Sequence, residues 1–113
     1  MNKIGYEERA KVYTDALDTF GVGMQLIVAL EELSELQKEI TKALRGNPNP
    51  MHLAEEVADA TIMLEQLRQM FNINEPVCEM MDRKILRLQL RIEDAKQKRE
   101  NLRAIFGEWG KQE

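Results

Sequence analysis

The chain has 113 residues and a mass of 13.1 kDa, the size of a single domain spanning 1–113. Charged residues make up 32 % and aromatics 5 %, with 3 Pro and 6 Gly; this suits solvated helices and leaves too few turns for an all-β chain. A net charge of −4 excludes a general binder of phosphate backbones, so no nucleic-acid partner is expected.

The breakers divide the chain into four helical stretches. Tyr6, Ala10, Tyr13, Leu17 and Phe20 recur at helical spacing and predict an amphipathic helix over 6–20, stopped by Gly21 and Gly23. A second helix is expected over 24–45, with Leu26, Leu30, Leu33, Leu36, Ile40 and Leu44 on its apolar face and Gly46 past its end. Asn47-Pro48-Asn49-Pro50 reads as a loop in which Asn49 caps and Pro50 opens a third helix. That helix runs to about Phe71, with Leu53, Val57, Ala60, Leu64, Leu67 and Phe71 on one stripe. Residues 72–75 interrupt, and Pro76 opens a fourth helix over about 76–105, with Val77, Met81, Ile85, Leu88, Ile92 and Ala95 inward. Gly107 and Gly110 loosen the tail. No stretch alternates with period two, so the expected class is all-α, with short connections between antiparallel neighbours.

No apolar run approaches the ~18–20 residues of a membrane span, no signal peptide opens the chain, and lone Cys78 rules out an internal disulfide. A cytoplasmic protein without a membrane partner is expected.

Several carboxylates lie away from the solvent face that charged residues usually occupy. At ~100° per residue, Glu56 falls inside the apolar stripe of the third helix beside Ala60, Met63 and Leu67, and Asp59 flanks it. On the second helix Glu32 borders the apolar arc, with Glu35 and Glu39 beside it. Two helices joined by one short loop thus each carry an acidic pair at i, i+3: Glu32 with Glu35, and Glu56 with Asp59. Crowded carboxylates raise one another's pKa and oppose folding. A hard divalent cation with oxygen ligands removes that cost, and Mg2+ bridges readily to phosphates. The alternative is a set of ordinary interhelical salt bridges or acids at the water boundary.

Leu30-Glu31-Glu32-Leu33-Ser34-Glu35-Leu36, followed by His52-Leu53-Ala54-Glu55-Glu56-Val57-Ala58-Asp59, resembles the MazG-like family of all-α nucleoside triphosphate pyrophosphohydrolases. The family signature E-x-x-E, a spacer, then E-x-x-D is met by Glu32, Glu35, Glu56 and Asp59, and the resemblance covers about residues 20–92. It implies a four-helix MazG-like module in an oligomeric helical bundle, a homodimer or a dimer of dimers. It also implies Mg2+, with Mn2+ as its substitute, on Glu32, Glu35, Glu56 and Asp59. The implied reaction is hydrolysis of a nucleotide substrate, an NTP or dNTP, to the monophosphate and pyrophosphate. Glu31 matches an acid often doubled beside the first ligand. The compact length and the Arg45-Gly46 loop look like phage-type or stand-alone members.

The same chemistry needs a base and phosphate-binding cations. A spare carboxylate can accept the attacking water's proton, with Glu35 and Glu39 as candidates. Lys84, Arg87 and Arg91 form a stripe bordering the packing face of the fourth helix. Family members resemble this with a Lys, and often an Arg, on that helix; Lys84 ranks first and Arg91 second as phosphate contacts, against a snorkelling surface role. Gln25 matches a polar position near the nucleotide, with a helix-end hydrogen bond as the equal alternative. Sole His52 reads as structural, and its solitude rules out a ferritin-like di-metal bundle. Cys78 has no second histidine to pair with as a nucleophile. Leu86 and Leu90, opposite the inward face of the fourth helix, suggest a subunit contact unless Trp109 covers them. The readings to weigh against a pyrophosphohydrolase are a non-catalytic helical interaction module and a related phosphohydrolase acting on a non-nucleotide pyrophosphate, such as a histidine-pathway intermediate.

Overall fold

The computed structural model describes residues 3–107, so Trp109 and Gly110 lie outside the described residues. Within them are four helices and no strand: α1 (Tyr6–Phe20), α2 (Val22–Leu44), α3 (Pro50–Met70) and α4 (Asn74–Phe106). None is long and apolar enough to cross a membrane. The chain divides into two compact units, Met1–Asn74 with α1 to α3, and Glu75–Glu113 with α4 from Glu75 onward.

The helix boundaries follow from local backbone chemistry. Gly21 has φ 85 and ψ 159, a region essentially reserved for glycine, and this single residue separates α1 from α2. Gly23, expected to lie in the break, is instead in the first turn of α2, because one such residue is enough to redirect the chain. At the end of α2, Gly46 adopts φ 82, its N–H bonds to the Ala43 carbonyl and the Asn47 N–H bonds to the Lys42 carbonyl. That is a Schellman closure. The end of α3 repeats it with Asn72 at φ 52, whose N–H meets the Gln69 carbonyl while the Ile73 N–H meets that of Arg68. Asn tolerates this left-handed position better than most residues. The interruption is therefore shorter than expected, and α4 begins at Asn74 with Pro76 inside its first turn, where a missing N–H loses no helix bond. Asn49 caps α3 as expected: its Oδ1 accepts from the His52 N–H at 3.1 Å, and Pro50 is the first helical residue.

In the first unit α2 packs chiefly against α3, and α1 lies against both. The pair is antiparallel: Gln25 meets Gln66, and further along α2 Glu32 meets Asp59, further back on α3. The buried residues are Gln25, Ala29 and Glu39 of α2 and Ala60, Met63 and Gln66 of α3. This differs from the leucine stripe expected on α2. Leu26 and Leu36 are half-buried, but Leu30, Leu33, Ile40 and Leu44 are exposed. The packed face is rotated from that stripe by roughly a quarter turn and includes Glu32 and Glu39. Val57, Leu64 and Phe71 of α3 are likewise exposed. In an antiparallel pair these two stripes fall on the same side. Glu65 and Gln69, about 100° and 140° round α3 from Leu64, bond to α1. In the second unit no α4 residue is buried; Val77 is half-buried, and Met81, Ile85, Leu88 and Ile92, expected inward, are exposed.

The two glycines around the α1–α2 break should respond oppositely to the same substitution. Gly21→Ala forces Ala into a glycine-only conformation and should cost about 1–3 kcal/mol. Gly23→Ala adds a Cβ that meets nothing within 4 Å and should add up to about 1 kcal/mol through helix propensity. Urea unfolding of both variants measures the difference in sign.

Candidate metal centre

The α2–α3 contact combines short side chains with acids. Ala29 and Ala60 are almost fully buried and let the two backbones approach. Beyond them, one carboxylate oxygen from each of Glu32, Glu56 and Asp59 lies within 4.8 Å of the other two. Glu32 and Glu56 are half-buried and Asp59 is exposed, so the cluster is open on one side. Glu56 Oε2 is buried with no hydrogen-bond partner. No ion pair among the described residues reaches any of the three.

The electrostatics follow from this crowding. Burial first, then the charges of Asp59 and Glu56, push the Glu32 carboxyl above its ordinary value. Burial again, then Asp59, Glu35, Glu55 and Glu39, push Glu56 up. Oxygen-only donors, an open side and an unsatisfied buried oxygen fit a hard divalent cation that keeps some of its waters. The donor set therefore suits Mg2+.

The four signature acids are not equivalent. Glu35 is half exposed, with its Oε1 3.7 Å from Lys38 Nζ, and it stands outside the tight group although its charge reaches Glu56. Glu39, by contrast, is buried; its Oε2 is 2.9 Å from Lys42 Nζ and its Oε1 has no partner. Gln25 is also buried, and its Nε2 donates to Gln66 Oε1 at 2.7 Å, so here it links α2 to α3. Gln66 in turn donates to Met63 Sδ at 3.3 Å. Lys84, Arg87 and Arg91 are exposed on α4, as is Glu31 on α2.

A second polar cluster escaped the sequence reading. Arg9 of α1 pairs with Glu65 of α3 at 3.0 Å, and Tyr13 donates to the same carboxylate at 2.5 Å. The Tyr13 hydrogen bond, helped by Arg9, holds Glu65 below the ordinary carboxylate value, and burial with the Glu65 contact pushes Tyr13 up to about 12. The available signal was the i, i+4 spacing of Arg9 and Tyr13, which places both on one face of α1. Between α1 and α3 lies an open hollow of about 760 Å³ lined by Ile4, Val12, Tyr13, Ala58, Thr61 and Ile62, with Ala58 preceding Asp59 in the chain.

The crowding makes a stability prediction with a definite sign. A carboxyl whose pKa is raised on folding binds more protons in the native state, so stability falls as pH rises through the window from the ordinary value near 4.5 to the raised one. Glu56→Gln removes that loss. Without divalent cations its melting temperature should exceed the parent's at pH 7, and the gap should close toward pH 4. Added Mg2+ should raise the parent's melting temperature and leave the variant's nearly unchanged.

Compared with protein-family models, curated proteins and solved structures, the chain matches none of them.

Proposed function

We propose that the chain is a Mg2+-dependent nucleoside triphosphate pyrophosphohydrolase of the MazG-like type, converting an NTP or dNTP to the monophosphate and pyrophosphate. The observation that carries this reading is the convergence of Glu32, Glu56 and Asp59 with an unsatisfied buried oxygen on Glu56. The resemblance of the surrounding sequence to that family supplies the reaction. Glu32, Glu56 and Asp59 hold the ion, and Glu35 joins if its side chain leaves Lys38. Bound there, Mg2+ (or Mn2+) neutralises phosphate oxygens and makes a bound water more acidic. The water oxygen attacks phosphorus at the α–β anhydride, and the bond to the departing phosphate oxygen breaks. The water proton passes to a nearby carboxylate, Glu35 or Glu39. The resemblance assigns the phosphates to Lys84 and Arg91 of α4, cations on the helix where family members carry a Lys and often an Arg. The hollow beginning at Ala58 has the volume of a small-ligand pocket and receives the nucleoside.

The reading extends to assembly and place. The exposed stripes of α2 and α3, with Leu86 and Leu90 of α4, are apolar surface of the kind that marks subunit contacts. The working form is a homodimer or a dimer of dimers in the cytoplasm. Its role is house-cleaning or control of the nucleotide pool.

A panel of canonical and modified NTPs and dNTPs with separate detection of pyrophosphate and orthophosphate tests the reaction. Pyrophosphate should be the primary product; primary release of orthophosphate would place the chain in another reaction class. Glu56→Gln and Asp59→Asn should each lower turnover by orders of magnitude while remaining folded. Lys84→Ala should lower kcat, because charge develops on the leaving pyrophosphate, while binding of metal without nucleotide is kept. Glu93, about half a turn round α4 from Lys84, is the control, and Glu93→Ala should change little. Light scattering at micromolar concentration should find at least a dimer.

A further inference from the structure

Along α4, Met81, Ile85, Leu88, Ile92, Ala95 and Leu102 follow alternating steps of four and three, with Arg99 filling the gap before Leu102. This is a heptad seam in which Ile85, Ile92 and Arg99 hold the a positions and the others the d positions. No residue of α4 is buried, and Ile85, Leu88 and Ile92 are each about half exposed. A stripe confined to a and d is narrow. A second helix covers such a seam, whereas a core or a lipid surface takes a broader apolar face.

The residues beside the seam decide which helix fits. Lys84, Arg91 and Lys98 occupy the g positions, and Lys96 and Arg103 two of the e positions; Asp82 and Gln89 hold the remaining e positions. All are exposed, and Lys98 also meets Asp94 at 3.2 Å, a surface pair of small worth. Two copies of α4 pair badly. In parallel, g meets e of the next heptad, which sets Arg91 against Lys96 and Lys98 against Arg103, with Arg99 facing Arg99. In the antiparallel register that aligns the seams, g meets g, which sets Lys84 against Lys98 and Arg91 against Arg91; only Asp82 with Arg103 offsets this. Nor does the first unit of a second copy supply acids in the right places. On the open flank of its exposed α2 stripe stand Ser34 and Thr41, and on that of its α3 stripe Thr61 and Arg68. We propose that the 81–103 seam of α4 docks an acidic amphipathic helix of another protein, with apolar residues at a and d, Glu or Asp at e and g, and an acid facing Arg99. The like charges that weaken self-pairing then select the foreign helix. Leu86 and Leu90 lie away from the seam, so docking leaves the subunit contact proposed above open.

Two fluorescent peptides about four heptads long, both with Leu at a and d, test this on the full chain. One carries Glu at e and g, the other Lys. Fluorescence anisotropy at physiological salt should show saturable binding of the Glu peptide and none of the Lys peptide. Because Lys84 and Arg91 are also assigned to phosphates, the variants use other flanking cations. Lys98→Glu together with Arg103→Glu should weaken the Glu peptide about tenfold, since two attractions become repulsions. Leu88→Glu should abolish its binding, and Gln97→Glu, which adds negative charge on the far side of α4, should leave it unchanged. No binding of the Glu peptide, equal binding of both peptides, or an unchanged affinity after the double charge reversal overturns the proposal. So does light scattering in which Leu88→Glu dissociates an oligomer of the chain, which would give the seam to a second copy, or tight binding of anionic phosphatidylserine vesicles that Leu88→Glu abolishes. If Leu88→Glu alters the circular dichroism melt, the double charge reversal decides.

Discussion

Repulsion among carboxylates across the α2–α3 contact is the constraint on which the first unit depends. Glu32, Glu39, Glu56 and Asp59 occupy or border the surface where these helices meet, a place usually given to leucine and valine. Burial and then like charge disfavour ionisation there, and both raise the Glu32 and Glu56 carboxyls. A helix pair kept together against such repulsion must be held elsewhere along its length. It is held by the buried Gln25–Gln66 hydrogen bond and by the close approach around Ala29 and Ala60.

α1 adds a second restraint at a distance from the acids. Its Arg9 and Tyr13 converge on Glu65, and Gln69 donates to the Ala10 carbonyl and to Thr14 Oγ1. These bonds set α1 along one side of α3. Glu65 illustrates how partners decide an acid's role. It belongs to the same helix as Glu56, yet a phenol and a cation keep it ionised, whereas Glu56 is part-buried among other acids.

The consequence of using a polar face for α2–α3 packing is apolar surface left open. Leu30 is 69 % exposed and Leu44 83 % exposed, while Gln25 and Glu39 are buried. Burial of apolar area is the main favourable contribution to folding and association. An acid-lined contact within one chain thus fits our proposal that further copies of the chain supply the apolar burial.

Helix content, the Asn49 cap, the Pro50 start and the Gly21 break were legible in the sequence, because each depends on a few neighbouring residues and on backbone sterics. The closeness of Glu32, Glu56 and Asp59 was legible in part, since Glu56 sits inside the apolar stripe of α3 and Glu32 borders that of α2, although Glu35 of the expected set stands outside the group. The rotation of α2 about its axis was not. Periodicity shows which residues share a face but not which face a neighbour covers, and here the covered one was the Gln25, Ala29 and Glu39 face and not the leucine stripe. The unequal surroundings of Glu35 and Glu39 were hidden for the same reason: they lie one turn apart on α2, and only the position of α3 makes one half exposed and the other buried. The pairing of Arg9 and Tyr13 with Glu65 likewise joins residues far apart in the chain, so sequence determined the elements and their acids, while tertiary packing decided which acids lost their water.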